Sequence, residues 1–231
     1  MMKPVIETQD VVKIYHDGSI DVHAVNGVDL TIAPGEFTAL VGPSGSGKTT
    51  LLNMIGGLDK PTSGRVIVDG TQLETLRDNE LIDFRLRKIG FVFQAYNLIP
   101  VLTATENTEF IMLLQKRPKE EREARAKALL KEVGLEDKLN KRPLELSGGQ
   151  QQRVAVARAL APKPAVILAD EPTANLDSHS TANLLDIMAR LNKEEQTTFL
   201  FSTHDQRVID RARRVVTLED GKIISDESFD R

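Results

Sequence analysis

The pattern of hydrophobic and polar residues predicts strands and helices that alternate along most of the chain. Residues 24–32 alternate apolar and polar side chains, as a strand with one buried face does. Short apolar runs with the length of fully buried strands lie at residues 37–41, 166–169 and 198–202. Residues 48–58 carry apolar side chains at helical spacing. Because strands and helices alternate to the end of the chain, we expect an α/β fold with a mainly parallel sheet.

A charged region of helical pattern interrupts this alternation between residues 78 and 133. Within it, residues 116–131 mix acidic and basic side chains at three- and four-residue spacing. This spacing predicts a solvated helix face with ion pairs inside the helix, of which Glu121 and Arg125 are an example. We therefore expect a helical insertion within one domain, because no linker divides the chain into two.

Composition narrows the classes of function. The chain has 231 residues, 40% of them hydrophobic, a formal net charge of -4 and no cysteine. This hydrophobic content is enough for a buried core. The acidic balance argues against a protein that binds nucleic acid by neutralising phosphates, so we expect no nucleic acid partner. The absence of cysteine excludes disulfides and cysteine-ligated zinc.

The sequence contains no apolar stretch of about 18 residues, the length required to span a bilayer. Residues 1–7 include Lys3 and Glu7 and lack the apolar core of a signal peptide, which argues against export. If the protein serves a membrane, we expect it to act there through another chain.

A glycine-rich motif between a predicted strand and a predicted helix has the pattern G-x-x-x-x-G-K-[ST]. Its residues are Gly42, Pro43, Ser44, Gly45, Ser46, Gly47, Lys48 and Thr49, followed by Thr50. Glycines permit backbone angles that let several amide N–H groups point at one anion, and the following helix adds the positive end of its dipole. Lys48 can reach the β- and γ-phosphates, and the Thr49 hydroxyl suits Mg²⁺. The motif therefore predicts that residues 42–50 bind a nucleoside triphosphate.

Two acidic residues follow the apolar run at residues 166–169. In a parallel sheet, ligands gather beyond the carboxyl ends of the strands, and the phosphate-binding motif follows such an end as well. Asp170 is placed to hold Mg²⁺ opposite Thr49. Glu171 is placed to polarise a water molecule that attacks the γ-phosphate in line. The alternative is a pair of solvated loop acids.

Leu146, Ser147, Gly148, Gly149 and Gln150 form a second candidate anion site. The serine supplies a hydroxyl, the glycines expose amides, and a helix predicted over residues 150–160 points its N-terminus at them. The alternative is a helix cap without a ligand, since serine before a helix is a common cap. One nucleotide hardly needs two cradles in one chain, whereas a nucleotide shared between two chains would use both.

These motifs, in this order, resemble those of the ABC ATPase family over essentially the whole chain. The resemblance implies a P-loop NTPase (RecA-like) core at residues 1–93 and 164–231, with an N-terminal antiparallel β subdomain. It also implies an inserted α-helical subdomain at residues 94–163. In that family two cassettes pair head to tail, with ATP and Mg²⁺ between the phosphate loop of one chain and the signature of the other. In this chain the phosphate loop corresponds to residues 42–49 and the signature to residues 146–150. Residues 147–150 would then contact the γ-phosphate in the partner's cleft.

The resemblance assigns further residues to the same site. Tyr15 matches the aromatic residue that stacks on adenine. Gln94 matches the glutamine that senses Mg²⁺ and the attacking water, and His204 matches the histidine that contacts the γ-phosphate. Residues 175–177 resemble the loop that crosses the dimer interface. The expected catalytic residues are Lys48, Gln94, Glu171 and His204, and the expected metal ligands are Thr49, Gln94 and Asp170.

At a finer level the chain resembles the subfamily that serves lipoprotein release, macrolide-type export and related mechanical transport. The resemblance lies in residues 53–59, 90–94, 97–100, 102–104 and 142–143. The chain departs from the common pattern at Ala174, where glycine or serine is usual, and at Ala95 and Tyr96, where phenylalanine often takes the second place. Both departures lie where partners are contacted, so they bear on the identity of the partner and not on the chemistry.

The resemblance implies an ATPase subunit that pairs with itself and drives an integral membrane permease, for export, lipoprotein release or force transmission. Such a subunit is cytoplasmic and peripheral on the inner face of the cell membrane. Two other classes remain open: a soluble ABC ATPase that acts on DNA or ribosomes, and a P-loop kinase or switch GTPase. The acidic balance and the single cassette count against the first. The signature and His204 would have no purpose in the second.

Overall fold

The computed structural model describes residues 3–18 and 20–230, so residues 1 and 231, the predicted limits of the core, lie outside the described residues. The strands are β1 (Ile6–Asp17), β2 (Ile20–Ile32), β3 (Phe37–Val41), β4 (Ser63–Val68), β5 (Thr71–Gln72), β6 (Ile89–Phe93), β7 (Val166–Asp170), β8 (Thr198–Thr203), β9 (Arg214–Glu219) and β10 (Lys222–Ser228). The α-helices are α1 (Lys48–Ile55), α2 (Asp78–Lys88), α3 (Ala104–Leu114), α4 (Lys119–Glu132), α5 (Gly148–Leu160), α6 (Ser178–Glu195) and α7 (Gln206–Ile209).

Six strands form one sheet in the order β10-β9-β3-β8-β7-β6. The strands from β9 to β6 are parallel, and β10 is antiparallel to β9. β3 and β8 are buried along their whole length, as their apolar runs predicted. The mainly parallel sheet is thus confirmed, and it brings the carboxyl ends of β3, β8, β7 and β6 to one edge.

A second, antiparallel sheet has the order β2-β1-β4-β5. α1 packs between the two sheets, with Leu51, Met54 and Ile55 buried in their shared core. α1 ends at Ile55, three residues earlier than predicted, because Gly57 turns the chain with φ 63°. β2 begins at Ile20, four residues earlier than predicted, because its first residues pair with β1 while their side chains stay exposed. Because the side chains of residues 20–23 are exposed on both faces of the strand, they need not alternate between apolar and polar.

The helical insertion consists of α3, α4 and α5, which pack on one another through Met112, Leu129 and Val154. α5 begins at Gly148, two residues earlier than predicted, because Ser147 caps it. Within the described residues, no helix has both the length and the apolar character of a membrane-spanning helix.

The predicted ion pair between Glu121 and Arg125 is wrong. Glu121 accepts a hydrogen bond from Arg117 Nη1 at 3.1 Å instead. The Arg125 guanidinium reaches the C-terminal end of α6 and donates to both carboxylate oxygens of Glu195, at 2.8 and 2.9 Å. The side chains of this second pair are 17% and 20% exposed. Because partial burial and two-point geometry strengthen such a pair over a solvated one, Arg125 ties the insertion to the core.

We expect Glu195→Gln to lower the free energy of unfolding by about 1–3 kcal/mol, because it leaves the Arg125 guanidinium without its counter-charge. The hydrogen bond from Arg125 lowers the pKa of the Glu195 carboxyl. The stabilisation is therefore fully present above the unfolded-state pKa of about 4.3 and is lost as the pH falls through the folded-state pKa. Chemical denaturation at several pH values measures both effects. The control Glu121→Gln should lower the free energy of unfolding by less than about 0.5 kcal/mol. Equal losses for the two variants at neutral pH would contradict a stabilising pair between Arg125 and Glu195.

Candidate nucleotide-binding site

Residues 42–47 form the loop between β3 and α1, and two of its glycines have no room for a side chain. Gly42 has φ 149°, and a Cβ there would lie 2.0 Å from the Leu218 carbonyl oxygen. Gly47 has φ 100°, and a Cβ there would lie 2.1 Å from the Ala24 carbonyl oxygen. The loop is thus held against β9 and β2 along a path that only glycine permits at these points.

The Lys48 side chain folds back onto this loop. Its ammonium donates to the carbonyl oxygens of Gly42 and Pro43 at 2.8 and 2.9 Å, and Lys48 is 8% exposed. Neither carbonyl neutralises the positive charge. The Ser46 hydroxyl of the same loop is buried and has no hydrogen-bond partner within the described residues. These groups, with the N-terminal amides of α1, fit the phosphates of a nucleotide.

Oxygen groups suited to a divalent cation lie at the same edge of the sheet. The Thr49 hydroxyl donates to Asp170 Oδ1 at 3.0 Å, although the residues are 121 positions apart in sequence. Gln94 follows β6 and lines the same cleft as Thr49. Hydroxyl, carboxylate and amide oxygens are ligands that Mg²⁺ accepts, and Mg²⁺ usually takes only one or two carboxylates beside substrate phosphates. The set of donor atoms therefore fits Mg²⁺.

Glu171 follows β7 in a left-handed backbone conformation, with φ 46°, that residues other than glycine rarely adopt. Its amide donates to the Ser202 carbonyl oxygen at 2.9 Å. Its Oε1 lies 2.7 Å from His204 Nδ1, and its Oε2 accepts from Thr203 Oγ1 at 3.4 Å. When the carboxylate is ionised, Nδ1 carries the proton of this hydrogen bond. The backbone and these contacts together fix the direction of the Glu171 carboxylate.

Many of these groups line one cleft of about 560 Å³, whereas Ser46 and Asp170 do not line it. Of the residues predicted from the sequence, the cleft is lined by Ser44, Gly45, Gly47, Lys48, Thr49, Thr50, Gln94, Glu171 and His204. Val22, His23 and Ala24 of β2 also line it, and no sequence motif placed them in a binding site. The predicted strand began at Ala24, and Val22 and His23 are exposed and carry no alternating pattern.

Tyr15, which the resemblance assigns to the adenine base, does not line the cleft, and 41% of its surface is exposed. Its hydroxyl donates to Asp59 Oδ2 at 2.6 Å, and Lys13 Nζ lies 4.8 Å from the ring centroid. Partial burial and the hydrogen bond to Asp59 raise the pKa of the Tyr15 phenol, which Thr50 also contacts. Since Thr50 lines the cleft, these contacts connect Tyr15 to it. The sequence did not predict the parts played by Lys13 and Asp59.

The signature residues do not line the cleft of their own chain. Ser147 and Gln150 bond reciprocally across the first turn of α5. The serine hydroxyl accepts from the Gln150 amide at 3.3 Å, and Gln150 Oε1 accepts from the Ser147 amide at 2.9 Å. Ser147 therefore caps α5, as serine before a helix commonly does. The turn at residues 147–150 is therefore separate from the cleft that contains the phosphate loop of the same chain.

The two signature glycines contact other parts of the same chain. A Cβ at Gly148 would lie 2.8 Å from the Tyr96 hydroxyl, and one at Gly149 would lie 3.0 Å from Ser180 Oγ. Tyr96, one of the departures from the common pattern, thus packs on the signature turn. The loop after Gln94 and the start of α5 are in contact, which was not evident from the sequence.

Residues 25–174 match the family model described as ABC transporter. The chain belongs to the ABC transporter family. The matched region includes the phosphate loop, Asp170, Glu171 and the signature. The match confirms the predicted P-loop NTPase fold and the predicted role of this cassette as the ATP-hydrolysing subunit of a transporter.

Relatives of this ABC transporter cassette include the lipoprotein-releasing system ATP-binding protein LolD of Anaeromyxobacter dehalogenans. The two are 48% identical over 96% of this chain and 94% of the relative. The macrolide export ATP-binding/permease protein MacB of Brucella melitensis is 46% identical over 96% of this chain, which spans 34% of that protein.

Among solved structures, the dimeric ABC transporter cassette MJ0796 is 45% identical, with a TM-score of 0.90. The similarity covers 98% of this chain and 99% of that one. The same cassette is also known as a dimer in a post-hydrolysis state, bound to ADP and Pi, with the same TM-score.

Proposed function

We propose that two copies of this cassette pair head to tail, and that residues 147–150 of each copy complete the nucleotide cleft of the other. The observation that carries the proposal is the separation of two anion-binding elements within one chain. The cleft contains Lys48 and the phosphate loop, whereas the signature turn lies outside it. The dimeric cassettes among similar structures support such a pair.

In each composite site, Lys48 and the amides of the phosphate loop bind the triphosphate, and Tyr15 stacks on the adenine. Ser147 and the two glycines of the other copy contact the γ-phosphate. The side chains that would hold Mg²⁺ are Thr49, Gln94 and Asp170. When bound, Mg²⁺ neutralises charge that develops on the phosphate oxygens.

Glu171 is the proposed general base. Its carboxylate accepts a proton from the water whose oxygen attacks the γ-phosphorus, while the bond from that phosphorus to the β–γ bridging oxygen breaks. ADP and inorganic phosphate are the products. The hydrogen bond of 2.7 Å between His204 Nδ1 and Glu171 Oε1 supports this role, since it holds the base in one direction. His204 would also contact the γ-phosphate, and Gln94 would contact the attacking water.

The γ-phosphate is the group that both copies bind, so ATP favours the closed pair and hydrolysis removes that preference. We assign the motion to two units: a helical subdomain at residues 94–163, and a nucleotide-binding core at residues 1–93 and 164–231. Gln94 stands at their junction, where β6 ends. Movement of the helical subdomain about this junction would pass to a membrane-embedded chain.

We expect Glu171→Gln to lower kcat by about 100-fold or more, because the amide cannot accept the proton. ATP binding should persist, since the phosphate loop is unchanged, and the variant should be a stable dimer with Mg-ATP. Steady-state ATPase assays and size-exclusion chromatography measure these effects. Lys48→Ala is the control, expected to lose both ATP binding and dimerisation. A Glu171→Gln variant with normal turnover, or one that stays monomeric with ATP, would contradict the proposal.

A groove of about 410 Å³ between the insertion and the sheet is the proposed docking site of the membrane permease. Its apolar lining includes Ile82, Leu86, Phe91, Phe93, Ile99 and Phe110. Arg158 also lines it, and its guanidinium donates to the carbonyl oxygens of Tyr96 and Asn97. Burial lowers the pKa of Arg158 to about 10. Because neither carbonyl neutralises this cation, the groove suits an apolar helix of the permease that carries an acidic residue.

The names of the LolD and MacB relatives support a permease of the lipoprotein-release or export type. We accordingly place the cassette on the cytoplasmic side of the cell membrane, held there by this permease. The pair would drive export, lipoprotein release or the transmission of force.

We expect Ile82→Glu to reduce the membrane-bound fraction of the cassette about tenfold in its own cells, because it places a charge in the apolar groove. Ile82 is 53% exposed, so the isolated chain should fold and hydrolyse ATP normally. Ile224→Glu, at a position 57% exposed on β10, is the matched control and should remain with the membranes. Sedimentation of membranes followed by detection of the cassette measures the fraction. Equal behaviour of the two variants would contradict docking in this groove.

A further inference from the structure

Gln152, in the second turn of α5, is fully buried, with 0% of its surface exposed. Its side-chain nitrogen donates to the Pro172 carbonyl oxygen at 2.7 Å and to the Phe93 carbonyl oxygen at 3.3 Å. Its side-chain oxygen is buried and has no hydrogen-bond partner in the described part of the chain. A buried oxygen without a hydrogen-bond partner lowers the stability of the fold. The two hydrogen bonds that the nitrogen donates hold the amide in this position despite that loss.

The two carbonyl groups belong to the loops that carry the proposed catalytic residues. Phe93 ends β6 and directly precedes Gln94, and Pro172 directly follows Glu171. β6 and β7 are neighbours in the parallel sheet, where Phe93 is in register with Asp170. One amide group therefore bridges the ends of both strands.

α5 connects this bridge to the signature turn. Gly148 begins the helix, and Gln152 follows four residues later, about 6 Å along the helix axis. Because a helix moves as a unit over one turn, a shift of the signature displaces the Gln152 amide as well. The side-chain hydrogen bonds of Thr173 and Asn175, in the loop after Glu171, do not reach α5, although one of them also joins the two catalytic loops. Asn175 donates to the Gln94 carbonyl oxygen at 3.0 Å, and Thr173 bonds the loop after β8.

We infer that Gln152 is a positioning residue that couples the signature of a chain to the Glu171 and Gln94 of that same chain. The inference rests on the proposed head-to-tail pair, in which the signature of one copy touches the nucleotide in the cleft of the other. A nucleotide in the first cleft then aligns the catalytic loops of the second cleft. The two clefts are coupled through α5.

Gln152→Met tests this role because it keeps the approximate side-chain volume but removes both donors. Gln115→Met is the matched control. Gln115 donates to the Leu86 carbonyl oxygen at 2.8 Å, and its own side-chain oxygen is also buried and unpartnered within the described residues. It joins α3 to the end of α2 and does not bond the catalytic loops. Thermal unfolding should show similar losses of stability for the two variants.

Mixed pairs distinguish the effect of a substitution in one chain of a composite site from its effect in the other chain. A small amount of chain with intact Glu171 is mixed with an excess of Glu171→Gln chain, so that only one cleft of each mixed pair hydrolyses ATP. Gln152→Met is placed either in the chain with intact Glu171 or in the disabled chain. The single-turnover rate of ATP hydrolysis per intact chain is measured. Gln152→Asn, which keeps a shorter amide, is measured in both placements as a milder second variant.

We expect hydrolysis about tenfold slower when Gln152→Met lies in the chain with intact Glu171, with ATP affinity unchanged. In the disabled chain it should change the rate less than about twofold. Gln152→Asn should fall between wild type and Gln152→Met, and Gln115→Met should change neither rate.

If Gln152 only supported α5, Gln152→Met would slow hydrolysis when it lies in the chain with Glu171→Gln, because the signature of that chain completes the cleft that hydrolyses ATP. That result, equal effects in both placements, or no effect in either would overturn the inference. Failure of the Glu171→Gln chain to pair with ATP would overturn the proposed function, and with it the inference.

Discussion

Four parallel strands, β3, β8, β7 and β6, end at one edge of the sheet, and the chemistry of the cleft depends on that alignment. The phosphate loop follows β3, His204 follows β8, Asp170 and Glu171 stand at the end of β7, and Gln94 follows β6. The Thr49 hydroxyl can meet Asp170 across 121 positions of sequence only because the strands keep their register. Buried apolar strands hold this register, so the polar site depends on the hydrophobic core.

The charge of the triphosphate is consistent with the proposed division of the site between two chains. The Lys48 ammonium, the phosphate loop and the start of α1 surround the phosphates from one side. The signature turn offers a second helix N-terminus, but it lies outside the cleft of its own chain. In the proposed pair each copy supplies the half that the other lacks. Closure then requires the γ-phosphate, and its loss separates the halves.

The sequence predicted the parts of the site that short motifs determine. Residues 42–49 and Glu171 could be placed because each follows an apolar run of buried-strand length. Contacts between distant segments could not be predicted in the same way. Arg125 has acidic neighbours at helical spacing, yet it pairs with Glu195, 70 positions away. Gln152 is one of three successive glutamines, and only its burial and its two carbonyl partners distinguish it.

If each working cleft is built from two chains, two variants that are inactive for different reasons should complement each other. Lys48→Ala disables the phosphate loop, and Ser147→Arg disables the signature, so each variant alone should lack ATPase activity. In a mixed pair, one cleft combines both defects and the other combines the intact phosphate loop with the intact signature. We expect that mixing the two variants restores ATP hydrolysis, to about half of the wild-type rate per pair at most. A mixture that stays as inactive as its components would contradict a cleft built from two chains.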